Sequence, residues 1–296
     1  MTALKRIRES ASDSASLSQD QLHDLDELAR RLRISIVTML EAAGSGHSAG
    51  PLGMADIFAA LYGHLLRHRP EQPDWPDRDI LLLSNGHTVP VLYAAMAHAG
   101  YFPVAELNTL RQLGGRLQGH PERSALPGLE NTSGPLGSGL SQGAGYAHVI
   151  QHLEHRSDRW VFVVMGDGEL NEGNIWEAAM FAAKYRLRQL IGIIDRNHIQ
   201  IDGDTEEVMP LGDLAGKWSA FGWHVQEADG HDIAAIVDAV QAAKNETTGP
   251  SVIIANTVPG RGVPYMEGDY TWHGRVPDAG QAADALRTLR TAGGWR

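Results

Sequence analysis

The class this sequence predicts is an α/β fold: a mostly parallel sheet with helices on both faces. Two observations carry it. Short, uncharged apolar runs alternate with longer stretches of helical period, which is the pattern of strand–helix–strand units. Those runs are apolar at almost every position, as strands buried on both faces require.

The elements follow in order. Leu22 to Ala43 repeats apolar residues at helical spacing and reads as an amphipathic helix. "GSGHSAGPLG" breaks it with glycines and a proline, and "MADIFAALYGHLLRH" resumes the helical period. "EQPDWPDRD" is a proline-rich loop leading into the buried strand "ILLLS". "NGH" follows, then "TVPVLYAAMAHAG", a helix ended by glycine. Residues 114–145 are glycine-rich and irregular, and a long loop inside a compact domain points to function. "AGYAHVIQHLEH" reads as a helix, "WVFVVM" as a strand, Gly173 to Arg188 as a helix and "LIGIID" as a strand. The strand "WHVQEAD", the helix "IAAIVDAVQAAKN" and the strand "SVIIANT" complete the series.

No linker composition or internal repeat interrupts this order. One domain is therefore expected over residues 21–296, behind a mobile polar arm at residues 1–20. The closing Gly-Gly-Trp-Arg is expected to fray.

Composition excludes several function classes. The net charge of −11 argues against a nucleic-acid surface. The absence of cysteine removes disulfides, thiolate metal sites and cysteine nucleophiles. The polar N-terminus has no apolar core of signal-peptide length. No run approaches the roughly 18 apolar residues of a membrane span. A cytoplasmic protein without membrane or nucleic-acid partners is the expectation.

"VVMGDGELNEG" and "LIGIIDRNHIQIDG" flank one predicted helix. Parallel neighbours joined by a right-handed crossover bring both strand ends to one edge, where open α/β sheets bind ligands. Asp167 and Asn197 then sit side by side. A carboxylate and an amide carbonyl are hard oxygen ligands for Mg2+ or Ca2+. Gly166 and Gly168 let the backbone approach a bulky anion, and the following helix offers N–H groups to phosphate. A metal-bridged diphosphate is the chemistry this implies. The competing reading makes Gly-Asp-Gly a turn in which Asp167 caps the helix.

The combination resembles the thiamine diphosphate signature. In order along the chain, "SGHSAGPLGMAD", "WPDRDILLLSNGH", "RQLGGRLQGHPE", "TSGPLGSGLSQGAG", "GDGELNEG", "RNHIQIDG" and "TWHG" resemble the N-terminal, diphosphate-binding part of transketolase. The resemblance implies thiamine diphosphate and Mg2+ (or Ca2+), with the metal on Asp167, Asn197 and the carbonyl of Ile199. It implies substrate-channel roles for His47 and His120, and places His87 near the diphosphate and the reacting carbon and His273 beside the diphosphate and the donor substrate. It puts Gly134 and Leu136 against the aminopyrimidine, and Glu172 against its own copy across an interface between protomers. Histidines suit such a site because they hydrogen-bond sugar hydroxyls and move protons near neutral pH. Two departures stand out: Ser48-Ala49-Gly50 follows His47 where the family has Pro-Gly-Ala, and Arg196 precedes Asn197.

Transketolase chains continue into a pyrimidine-binding domain that supplies a glutamate to the aminopyrimidine. The resemblance therefore implies a split enzyme, whose partner chain is a separate C-terminal transketolase subunit. Two copies of each chain and sugar phosphate substrates are expected. Other readings remain open at this level. They are the thiamine subunit of a 2-oxo-acid dehydrogenase, a deoxyxylulose-phosphate synthase relative, a ketol transferase for a modified sugar, and a subunit that binds without catalysing. A nicotinamide-binding fold is disfavoured. "GSGHSAG" and "GSGLSQG" follow no clear strand and space their last glycine by three residues rather than two. His64 and His68 have metal-ligand spacing on a predicted helix but no third ligand in view.

Overall fold

The computed structural model describes residues 17–291. The arm expected over residues 1–20 lies outside these except for its last four, and the Gly-Gly-Trp-Arg tail lies wholly outside. The first helix, α1 (Gln19–Ala43), begins three residues before the expected Leu22. The reason is local: the Ser18 hydroxyl accepts from the Gln21 N–H, and the Gln21 side chain accepts from the Ser18 N–H. Gly44, left-handed at φ 63°, ends it.

The stretch expected as a break, "GSGHSAGPLG", itself holds the short helix α2 (Ala49–Gly53), and the predicted helix over residues 54–68 is instead α3 (Ala55–Ala60) followed by a π-turn at Leu61–Leu65. Next come β1 (Ile80–Leu83), α4 (Val89–Ala99) and α5 (Ser138–His148). Helix α5 starts six residues earlier than its sequence pattern indicates, inside the glycine-rich stretch. The second half of the chain runs β2 (Val161–Gly166), α6 (Gly173–Lys184), β3 (Leu190–Arg196) and a hairpin of β4 (Ile199–Gln200) and β5 (Gly203–Asp204). It continues with α7 (Thr205–Val208), α8 (Leu214–Ala220), β6 (His224–Asp229), α9 (Ile233–Asn245), β7 (Ser251–Asn256) and α10 (Ala279–Thr291).

The main sheet has the order β1-β2-β3-β7-β6, and every pairing is parallel. Alternate residues of each central strand enter different cores, as the period-two geometry of a strand dictates. Phe162, Val164, Ile191, Ile193 and Ile253 face the core under α1, α3, α4 and α9. Val161, Val163, Leu190, Ile194 and Val252 face the core under α5, α6 and α8. Both faces are covered, which is why the central strands read as unbroken apolar runs. Among the described residues, no helix is long and apolar enough to cross a membrane.

All five parallel strands deliver their C-terminal ends to one edge. That edge carries Ser84 to His87 after β1, Asp167 to Glu169 after β2, Asn197 after β3 and Thr257 after β7.

Candidate functional site at the strand ends

Three of the histidines singled out by sequence form a triangle. The ring centroids of His47 and His87 are 5.0 Å apart, those of His87 and His273 5.0 Å, and those of His47 and His273 5.4 Å. Each reaches the triangle from a different segment: His47 from the break between α1 and α2, His87 from the turn after β1, and His273 after the short turn Tyr270–Trp272. The Ser48 hydroxyl donates to the Arg275 carbonyl at 2.6 Å and so ties the first segment to the third. His120 adjoins the group. A Cβ on Gly86 would lie 3.2 Å from its ring, and one on Gly134 4.0 Å.

Burial disfavours the protonated form of these rings. His47 is pushed down to about 4 by burial, with the positive charges of His273, Arg111 and His120 adding to the effect. Burial also lowers His87, helped by its three histidine neighbours, and lowers His120 and His273. A neutral imidazole can donate from one nitrogen and accept at the other, which suits sugar hydroxyls and proton uptake.

The carboxylate side lies at the ends of β2 and β3, which pair in parallel with Gly166 opposite Asp195. Asp167 is 1% exposed. It accepts from the Gly168 N–H (2.8 Å), the His198 N–H (2.8 Å) and Arg196 Nη1 (2.9 Å). Its bond to Gly168 caps the turn Gly168–Asn171, so the capping reading is correct for that turn and not for α6. Arg196 also donates to the Thr205 hydroxyl and to Glu206, whose carboxylate offsets its charge. Asn197 donates its amide N–H to Asp195 (2.7 Å), and its amide oxygen accepts from the Ile199 N–H (2.9 Å). Burial pushes Asp195 up to about 7, although Thr257 and Asn197 donate to it.

These residues fit a divalent cation and a diphosphate. A carboxylate offers about four lone-pair directions and an amide oxygen two; three donors on Asp167 and one on Asn197 leave each a direction for a hard cation. Beside them, three buried polar atoms have no hydrogen-bond partner: Asn85 Oδ1, Ser133 Oγ and His47 Nδ1. A Cβ on Gly166 would lie 3.8 Å from Asn85, so the carboxylate turn and the histidine-bearing turn share one wall. A Cβ on Gly168 would press on Gln200 at 3.1 Å.

Two of the sequence-predicted residues lie at the margins. Leu136 is half-buried in the turn leading to α5, and Glu172 is exposed at the first position before α6, where it makes no capping bond. His68, which had metal-ligand spacing with His64, is held by the Tyr101 hydroxyl and the Tyr62 carbonyl. Sequence reasoning missed Asn85, Ser133, Arg111 and Glu169. Arg111 is a non-glycine residue at φ 59°, and its guanidinium fills the space over Gly119 and beside Gly46, the glycines preceding His120 and His47. Nothing in the residue types of these four marks them in advance.

Comparison with known proteins agrees with this geometry. Residues 25–296 match the family model for the thiamine diphosphate binding domain of transketolase. The chain is 43% identical over 257 residues to a 6-deoxy-6-sulfo-D-fructose transketolase subunit from Clostridium sp., covering 87% of this chain and 92% of that one. It is 38% identical over 269 residues to an apulose-4-phosphate transketolase subunit from Phocaeicola vulgatus, covering 91% and 95%. Transketolase from Leishmania mexicana superposes with a TM-score of 0.83 at 32% identity, over 90% of this chain and 44% of that one. The chain therefore belongs to the transketolase family, as its thiamine diphosphate-binding domain.

Proposed function

We propose that this chain is the N-terminal, diphosphate-binding subunit of a two-chain transketolase that moves a two-carbon ketol unit from a ketose phosphate to an aldose phosphate. The observation that carries the reading is the closeness of three histidine rings, at 5.0–5.4 Å, on the same sheet edge as the Asp167–Asn197 pair. A separate C-terminal subunit supplies the pyrimidine-binding domain and its glutamate, and the assembly holds two copies of each chain. The names of two relatives that this chain nearly matches in length, both transketolase subunits, support that division.

Within this chain, Asp167, Asn197 and the Ile199 carbonyl hold the Mg2+ (or Ca2+). Gly166 and Gly168 admit the diphosphate to the backbone. His87 and His273 donate hydrogen bonds beside it. His47 and His120 hydrogen-bond the sugar hydroxyls, and Gly134 and Leu136 face the aminopyrimidine. Glu172 meets its own copy across the interface. Thiamine diphosphate, when bound, supplies the electron sink for breaking and forming the carbon–carbon bond. When uncharged, the histidines can take up a proton from a substrate hydroxyl and return it.

A second reading is a ketol transferase for a modified sugar. It is favoured by the Ser48-Ala49-Gly50 segment after His47 and by relatives named for a sulfosugar and for apulose 4-phosphate.

The test is an affinity pull-down of the tagged chain from its native lysate, with mass spectrometry and a ketol-transfer assay containing thiamine diphosphate and Mg2+. A stoichiometric partner, with activity only in the complex, is the expected result. An active chain without a partner would overturn the split enzyme. Failure to bind thiamine diphosphate even with partner and Mg2+ would favour a non-catalytic binding role.

A further inference from the structure

Glu169 is 3% exposed at the end of β2, with no role assigned to it by the motif it sits in. Its two oxygens gather donors from three separate segments. Oε1 accepts from the Ser84 hydroxyl and from the Gly137 N–H at 2.6 Å; Oε2 accepts from the Gly166 N–H at 3.0 Å. Ser84 in turn accepts from the Gly139 N–H at 3.0 Å.

Each tethered segment carries part of the site. Ser84 lies three residues before His87. Gly137 closes the turn that holds Gly134 and Leu136. Gly166 opens the turn that holds Asp167. Two of the three tethered positions are glycines, and Gly137 has a left-handed φ of 82°. Glycine segments have the most backbone freedom to lose, so side-chain packing cannot fix them and an external anchor can. An ionised carboxylate is the strongest such acceptor a protein has for N–H and O–H donors. Burying one is expensive unless its lone pairs are satisfied. An apolar residue would fill the space at less cost, so packing alone does not explain Glu169.

We infer that Glu169 is a positioning residue that locks the diphosphate turn, the aminopyrimidine turn and the His87 segment into one preformed cradle for thiamine diphosphate. This rests on the reading that the strand-end edge holds that cofactor. Its consequence is affinity: without the anchor the three segments must be ordered when the cofactor binds, and binding weakens.

The test uses the full chain copurified with its partner. Thiamine diphosphate is titrated with saturating Mg2+ by calorimetry, at a temperature where melting curves show each variant fully folded. Glu169→Gln keeps the shape but turns an amide N–H2 toward a donor. It is expected to weaken the cofactor about tenfold or more, whereas a merely structural role would lower the melting temperature and leave the affinity of the folded protein unchanged. Affinity within twofold of the wild type would overturn the inference. If Glu169→Gln does not fold, Ser84→Ala loosens one tether and is expected to weaken binding several-fold; unchanged affinity there would equally overturn it. A wild-type complex that binds no thiamine diphosphate would instead sink the functional reading, so the two failures are distinguishable.

Discussion

The two groups of residues at the strand-end edge satisfy their polar groups differently. On the carboxylate side, Asp167 and Glu169 each accept from three donors, and Asp195 accepts from Thr257 and Asn197. On the histidine side, His47 Nδ1, Asn85 Oδ1 and Ser133 Oγ are buried without a partner. An unsatisfied buried polar group costs about 1–3 kcal/mol. A surface that keeps three of them is shaped for a polar ligand, while the adjoining carboxylates are held in place by their own donors. The strand-end edge thus pairs a rigid part with a receptive part.

Substitutions at Asp167 break that comparison most severely. Asp167→Ala leaves the buried Arg196 guanidinium without its buried counter-charge, with only the more exposed Glu206 still paired to it. It is expected to cost about 3–5 kcal/mol and to abolish metal-dependent thiamine diphosphate binding, measured by thermal melting and calorimetry. Retained metal-dependent binding would remove Asp167 from the cation site. Arg196→Met breaks the same pair from the other partner. Its melting temperature should fall without cofactor and recover more than the wild type's when Mg2+ and thiamine diphosphate are added, because the cation then supplies the missing charge.

The histidine side should answer in activity rather than stability. His273→Ala or His87→Ala is expected to lower kcat/KM of the assembled enzyme by roughly 10²-fold or more, with only a small change in melting temperature. A large stability loss with intact activity would make these rings structural.

His47 sharpens the contrast through pH. Its folded value, about 4, lies below the unfolded 6.5, so between these limits the unfolded chain binds more protons and stability falls as pH drops. His47→Gln removes that contribution. The variant's melting temperature relative to wild type should therefore rise as pH is lowered from 7 to 5, and a constant difference would contradict a buried neutral ring. Smallest of all, Ser133→Ala deletes an unpartnered hydroxyl. The free chain should change little in stability, while cofactor or substrate binding weakens measurably.

Much of this was legible in the chain, for physical reasons. Strands buried on both faces announce themselves as apolar runs, so "ILLLS", "WVFVVM", "LIGIID" and "SVIIANT" mark four strands of the main sheet, and the more exposed edge strand β6 also lies where "WHVQEAD" places it. Helix α5 was not fully legible. Its first residues include Gly139 and Gly143, poor helix formers, yet the missing Cβ atoms let that turn press against Ser84 and Val163. Tertiary packing there outweighs local preference. The π-turn at Leu61–Leu65 hid likewise in a continuous helical pattern. Asp167 and Asn197 could be placed together from strand topology alone, whereas the histidine triangle came from resemblance, since no spacing brings residues 47, 87 and 273 together. Glu169 carried no signal, because an anchor for glycine turns is defined by what donates to it.

The most direct test of the central claim is a crystal structure of the assembled protein with thiamine diphosphate and Mn2+, whose anomalous signal locates the metal. The expected result is a single metal held by Asp167, Asn197 and the Ile199 carbonyl, with the diphosphate beside His87 and His273. A metal or cofactor bound anywhere other than this strand-end edge would contradict it.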